Sequence, residues 1–400
     1  MNPVSERRVL LHVGTPKTGT SHLQDVLFRN RLPLQAARIS YPGQRFDSHF
    51  LGALDLMRMP WGGLEKEAVG AWARLAGSAR SWSGTTIISH EILAGATPEQ
   101  IARARESLGD AEVHIVVSAR DLARQIPAEW QENIKHRHVL KYSSFIARIQ
   151  DPERASRTAA WFWNVQELPA ILDRWSEGIP PERIHLITVP PSGAARDLLW
   201  QRFSTAFGLD EVALEATSER LNPSLGVPET ALIRKINRRF NRVIEPADYR
   251  PLVRELLAHR TLSGRTDSPR LALPPDVHPW ARELNQAWVD EIRARGYDVI
   301  GDLDDLLGAE PAEDYVDPDR LRPRMVNSAA LDAIGALLEE NVRLRRSEIT
   351  LQSAVVAARK EAKPGRKAAE LVVRGLEDSG PGRSVLNLYR RARGRSSRSA

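Results

Sequence analysis

Four short apolar runs rich in β-branched residues punctuate the first half of the chain. They are Val9–Val13 (VLLHV), Thr85–Ser89 (TTIIS), Val113–Val117 (VHIVV) and Ile184–Val189 (IHLITV), and Arg38–Tyr41 is a weaker fifth. Near-continuous apolarity over about five residues predicts strands covered on both faces, because a sheet with one wet face would alternate polar and apolar positions. Helical periodicity fills the intervals, with Leu23, Val26 and Leu27 on one stripe and a second pattern over Gln100–Leu108. Strands alternating with helices predict an α/β fold, a parallel sheet flanked by helices. Ligands of such sheets bind outside the C-terminal ends of the strands, so chemistry is sought just after each apolar run.

Beyond about residue 200 the pattern turns helical, through Thr230–Val243, Leu252–His259 and Pro279–Arg295. The expected organisation is an α/β domain over residues 1–309, a proline-bearing charged linker over 310–328, a helix over 329–358 and a basic tail over 359–400. In the helix, Leu337, Leu344 and Leu351 recur every seven residues, with Ile334, Asn341, Glu348 and Val355 on the companion seam. Leucine at one seam and a single Asn on the other is the pattern of a parallel coiled-coil dimer, in which a buried Asn fixes register. Glu348 is unfavourable there and three heptads are short, so a lone packed or exposed helix is the competing reading. Gly, Ser and Arg dominate after Lys363, a composition that predicts disorder.

Charge is distributed unevenly. The net charge is +6, yet residues 341–400 hold 15 Lys and Arg against 5 Asp and Glu, leaving the rest of the chain slightly acidic. An argument for an anionic membrane partner therefore belongs to the tail, with Arg390, Arg391, Arg393, Arg395 and Arg398. A solvated extension is the plainer alternative. The chain has no cysteine, which excludes disulfides, a thiol nucleophile, iron–sulfur ligation and Cys-rich zinc sites. No apolar run approaches the roughly 18–20 residues that cross a bilayer, and none near the N-terminus resembles a signal peptide. A cytoplasmic location, peripheral at the membrane if the tail docks there, is the expectation.

The strongest local signal is GTPKTGTSHLQ, Gly14 to Gln24, which follows the first strand and opens an amphipathic helix. Gly14 and Gly19 permit a tight turn and a close backbone approach. The N–H groups of Thr18 to Ser21 fall at a helix N-terminus, where unpaired donors and the helix dipole attract an anion. Lys17, one of eight lysines in the chain, adds a full charge. Phosphate or sulfate is the natural ligand. The motif is not a Walker A loop, because Lys17 precedes the second glycine instead of following it.

Strand followed by G-x-P-K-T-G-T-[ST]-x-L-Q resembles the 5′-phosphosulfate loop of sulfotransferases, which take their sulfuryl group from 3′-phosphoadenosine 5′-phosphosulfate (PAPS). The resemblance implies a P-loop-like parallel sheet. It implies that Lys17 binds the 5′-phosphate and bridging oxygen, while Thr18, Gly19, Thr20 and Ser21 hold the phosphosulfate. In the family an Arg after a later strand, followed eight residues on by Ser, reads the 3′-phosphate. Here Arg120-Asp121 matches the Arg, but the position of the Ser is Ala128 and that of the family's proline is Leu122. Arg124, Gln125 and Lys135-His136-Arg137 are candidates to fill the gap. A softer likeness is the R-x-N-x-S-L-G stretch at Arg220, Asn222 and Ser224, which in the family feeds a helix. No specific nucleic-acid partner is implied.

Transfer to a hydroxyl requires a proton acceptor, and a general base contributes about 10²–10⁴-fold. Strand TTIIS ends in His90-Glu91. Small-molecule sulfotransferases use a His near such a strand end and glycan-type ones a Glu. S-x-E favours Glu91, with His90 as the alternative. The acceptor class implied is a hydroxyl of a carbohydrate, glycolipid or small metabolite. A P-loop-like nucleotide kinase and a non-catalytic scaffold that retains the fold are the competing classes. His12 and His114 alternate with apolar residues and read as core. His136 and His138 lack a carboxylate cluster, so no metal is expected. Trp161-Phe162-Trp163 reads mainly as helix packing, with the acceptor site as the second reading.

Overall fold

A computed structural model describes residues 7–217, 224–361 and 375–376. Six parallel strands form one sheet: β1 (Arg8–His12), β2 (Ile39–Ser40), β3 (Thr85–Ser89), β4 (Glu112–Ala119), β5 (Ile184–Thr188) and β6 (Asp298–Ile300), in the spatial order β2-β3-β1-β4-β5-β6. The expected α/β class, a parallel sheet flanked by helices, is what the chain forms. The four apolar runs are its four inner strands, and Arg38–Tyr41 supplies the short edge strand β2. Strand β6 is invisible in the sequence pattern. It has three residues on a sheet edge, none of them fully buried, and carries too little apolar pattern to stand out.

Alternation along each strand explains why both faces are apolar. Val9 and Leu11 of β1, Ile115 and Val117 of β4 and Ile184 and Leu186 of β5 enter one core cluster. Leu10, Ile87, Val116 and Ile187 enter the cluster on the opposite face, with Phe203 and Phe207 of the Leu198–Phe207 helix. Each such side chain contributes about 1.5–3 kcal/mol by leaving water. A third cluster gathers around the Leu122–Lys135 helix. Leu122, Ile126, Trp130 and Ile134 recur every four residues on one stripe and pack with side chains of the Val227–Phe240 helix and the π-helical segment Arg250–Thr261.

The sheet has one topological switch point. From β1 the chain moves outward to β2 and returns to β3, whereas from β4 it moves the other way to β5 and β6. β1 and β4 are neighbours, with His12 opposite Val116. The crevice outside their C-terminal ends is where such folds bind ligands.

Residues 310–328 are not a free linker. Asp319 accepts hydrogen bonds from the backbone N–H of Ser143 (2.9 Å) and from its hydroxyl (2.9 Å), and Val326 is buried in the third cluster. The C-terminal helix spans Pro323–Glu361, starting six residues before the expected 329, and chain contacts divide at Ala333/Ile334. The alternation of prolines with charge disguised a segment that docks through a few spaced apolar and capping residues. In the second unit Ile334, Leu337 and Leu344 of the heptad are exposed. Apart from residues 359–361 and 375–376 the basic tail lies outside the described residues, as do Arg220 and Asn222.

Candidate active site

The Gly14–Ser21 loop leaves β1 and passes directly over the end of β4. Ser118 of β4 donates through its hydroxyl to the Gly14 carbonyl at 3.1 Å, and the Thr18 hydroxyl donates to the Thr15 carbonyl at 2.6 Å. Thr18 and Ser118 hydroxyls also meet at 2.6 Å. Lys17 adopts φ 68°, a left-handed conformation that costs a non-glycine residue energy and is held here by the surrounding bonds. Gly19, with φ 89°, is the N-cap of helix α1 (Thr20–Arg29), so Thr20 and Ser21 stand in its first turn. Beneath the loop His12 is fully buried between the hydroxyls of Ser89 (2.8 Å) and Ser118 (3.0 Å), and burial lowers its pKa to about 4. It is a core residue. His114 lies towards the other end of the sheet, buried against His185 and Glu112.

Gly14 sets the distance between the loop and Glu91. Its φ is 120°, and a Cβ there would stand 2.7 Å from the Glu91 carbonyl oxygen. Glu91 follows β3 and opens a 3₁₀ turn, Glu91–Gly95. Its carboxylate accepts from Gln24 Nε2 at 3.2 Å and from the Thr20 hydroxyl. Burial pushes this carboxyl up, but the adjacent His90 and these donors outweigh it and hold the pKa below the usual glutamate value. His90 caps the turn by accepting from the Ile92 N–H at 3.4 Å, and its Nε2 is 4.0 Å from Glu91. Burial lowers the His90 pKa, only partly offset by Glu91. The pair is thus an ionised carboxylate beside a neutral imidazole.

Lys17 Nζ donates to Glu132 Oε2 at 3.0 Å. Glu132 also receives Arg254 (3.1 Å), His136 (3.2 Å) and Lys135 (3.8 Å). Against the cost of burial, Lys17 first and then these groups keep its pKa well below the usual value. Lys135 is itself buried, and desolvation brings it down to about 8.

Arg120 stands at the end of β4, with one guanidinium N–H 3.4 Å from the Lys17 carbonyl. Its Nε is buried and has no hydrogen-bond partner among the described residues, and burial followed by the Arg124 charge lowers its pKa to about 10. A desolvated guanidinium with an unused donor is poised for an anion. Asp121 does not hold it: that side chain caps the next helix and binds Arg124. Of the candidates to replace a Ser at Ala128, Arg124 is further committed to the Pro190 carbonyl, and Gln125 to Pro16 and Gln166. Lys135 and His136 turn to Glu132, and Arg137 to the carbonyls of Asn241 and Ile244. Ser224 is exposed.

The sequence reading missed Glu129 and Glu132. Both lie on the Leu122–Lys135 helix, and Glu129 is 6% exposed. Burial, offset in part by Lys17 and reinforced by Glu132 and Glu91, pushes its pKa up to about 7. The Trp161 indole N–H donates to it. The available signal was the polar stripe Gln125, Glu129, Glu132, His136, which recurs at three- and four-residue steps opposite the apolar stripe of the same helix. In the aromatic run, Phe162 and Trp163 are core and only Trp161 faces this site. Among the described residues no group of three or more His, Asp or Glu is arranged to hold a metal ion, and no helix is long and apolar enough to cross a membrane.

Comparison with known proteins finds no family model, no curated protein and no solved structure that matches this chain.

Proposed function

We propose that the chain is a sulfotransferase that moves a sulfuryl group from PAPS to an acceptor hydroxyl. The observation that carries this reading is the convergence, at the β1/β4 switch point, of the Gly14–Ser21 loop, Arg120, whose Nε has no partner among the described residues, and the ionised Glu91. Lys17 and the N–H groups from Thr18 to Ser21 receive the 5′-phosphosulfate. Arg120 receives the 3′-phosphate, since Arg124, Gln125, Lys135 and His136, which could replace the missing serine, hold other groups. The acceptor oxygen forms a bond to sulfur as the bond from sulfur to the bridging phosphate oxygen breaks. The hydroxyl proton passes to Glu91, and the electron pair leaves with 3′,5′-ADP, whose charge Lys17 stabilises. Such a loose transition state depends on positioning and charge more than on covalent help. His90 fits less well as the base, because one ring nitrogen already accepts the Ile92 N–H.

In this reading the heptad of residues 334–355 pairs two copies, and the basic tail brings a cytoplasmic enzyme to anionic lipid. The decisive experiment is calorimetric titration with 3′,5′-ADP and with ATP·Mg²⁺, followed by incubation with ³⁵S-labelled PAPS and a cell extract. Tight 3′,5′-ADP binding and a labelled product support the transferase. Preference for ATP·Mg²⁺ points to a kinase instead, and 3′,5′-ADP binding without labelled product leaves a non-catalytic scaffold.

A further inference from the structure

The side chains on the open side of Glu91 have no part in the step above, yet their contacts join into a chain around it. His90 lies against Phe50 with ring centroids 5.0 Å apart, and Phe50 meets Trp61 edge-on at 5.5 Å. Trp61 in turn meets His136 at 5.6 Å, and His136 is bound to Glu132, which holds Lys17. On the far side Glu129 lies within electrostatic reach of Lys17 and Glu91 and takes the Trp161 N–H. Phe50, Trp61 and Trp161 are each half-buried: one part packs on the core, another is left to solvent. Four separate parts of the chain contribute these groups, namely the Ser48–Met57 helix, the loop at Trp61, the Leu122–Lys135 helix and the Arg157–Gln166 helix.

We propose that this ring, Phe50, Trp61 and Trp161 with Glu129, is the acceptor subsite, and that it selects an uncharged sugar residue. The assignment rests on the sulfotransferase reading and narrows its substrate class. A pyranose has one face of C–H groups and a rim of hydroxyls. Half-exposed aromatic faces take the first, and a few fixed polar groups take the second. Glu129 is suited to that rim, since a carboxyl that is protonated part of the time both donates and accepts. An acidic sugar is disfavoured by charge. Glu91 and Glu132 are ionised, and the cations nearby, Lys17, Lys135 and Arg254, are already drawn onto Glu132. A carboxylate bound here would face like charges without a partner of its own, which discriminates against it.

The test is saturation-transfer NMR and calorimetry on the full chain with 3′,5′-ADP present. The probes are methyl glycosides of glucose, galactose and mannose and the matching uronates. At least one neutral glycoside is expected to bind, with magnetisation transfer strongest on one C–H face, and uronates at least about tenfold more weakly. Trp61→Ala is expected to weaken the neutral glycoside about tenfold, and Trp61→Phe to restore most of it. Trp161→Phe, which keeps an aromatic face but removes the bond to Glu129, should weaken it to a lesser degree. No binding by any neutral glycoside, a preference for uronates, or wild-type affinity in folded Trp61→Ala would each overturn the subsite. 3′,5′-ADP binding measured on the same samples separates this result from the donor reading: if the nucleotide binds and the glycosides fail, only the acceptor assignment falls.

Discussion

Replacing Gly14 by Ala tests whether the loop and Glu91, the proposed base, act as one unit. The added Cβ would stand 2.7 Å from the Glu91 carbonyl oxygen and 3.2 Å from Ala94 Cβ, and neither atom is at the end of a flexible chain. Ordinary contact begins at 3.4 Å, so the loop and the Glu91 turn must separate by about 0.7 Å. The backbone adds a second cost, because φ 120° is a region that only glycine occupies easily. Strain of that kind is worth about 1–3 kcal/mol, and each kcal/mol lowers the melting temperature of a domain of this size by about 2–4 °C or somewhat less. The kinetic effect is larger. A misplacement of about 1 Å at reacting groups costs on the order of 10²-fold, so a slightly smaller opening is expected to cost between about ten- and a hundredfold in turnover. The assay pairs differential scanning fluorimetry with transfer from labelled PAPS, at saturating donor so that lost affinity does not masquerade as lost chemistry. Affinity for 3′,5′-ADP should change less than turnover, since Arg120 and the first turn of α1 are not displaced. A Gly14→Ala protein that melts and turns over like the wild type would show that the contact between Gly14 and Glu91 does not set the geometry of the site.

Lys17→Ala is expected to abolish transfer while leaving a folded protein, because the ammonium is part-exposed on a loop; near wild-type turnover in that variant removes the mechanism. Glu91→Gln should reduce turnover by roughly 10²-fold or more with 3′,5′-ADP affinity retained, whereas a comparable loss only in His90→Asn transfers the base role to His90. The Glu91 pKa is lowered in the fold, so the acid limb of the wild-type rate profile should lie below the ordinary glutamate value of 4.5, and a limb above it contradicts the assignment. Glu129 has the opposite sign: with its pKa raised to about 7, its contribution to stability is present below about 4.5 and is lost as pH rises to 7, with Lys17, Glu132, Glu91 and Trp161 facing it. The melting temperature of Glu129→Gln relative to wild type should therefore be higher at pH 8 than at pH 5, and an equal offset at both rejects the shift. Truncation after Ala333 should retain turnover on a soluble acceptor and, if 334–355 pairs two copies, halve the mass in light scattering; an unchanged mass disposes of that dimer.

The chain by itself determined the inner strands, the loop and the two strand-end residues that the site is built on. Buried parallel strands must be apolar on both faces, which makes them visible as runs, and a left-handed glycine loop before a helix is a local requirement written in neighbouring residues. Arg120 and Glu91 stood out only through the resemblance to sulfotransferases, one just past the end of β4 and the other two residues past the end of β3. Only the tertiary structure could decide which of these meet. Gly14 lies against Glu91 because β1 and β3 are neighbours, and Arg120 reaches Lys17 because β4 lies on the other side of β1. Glu129 and Glu132 went unnoticed in the sequence because nothing in the helix itself reveals that its polar face points inward over Lys17. The raised pKa of Glu129 and the depressed one of Glu132, three residues apart on one helix, come from how many cations other segments bring to each, among them Arg254 from 122 residues away. Desolvation and charge pairing depend on distances through space, and those exist only once the sheet has set its strand order.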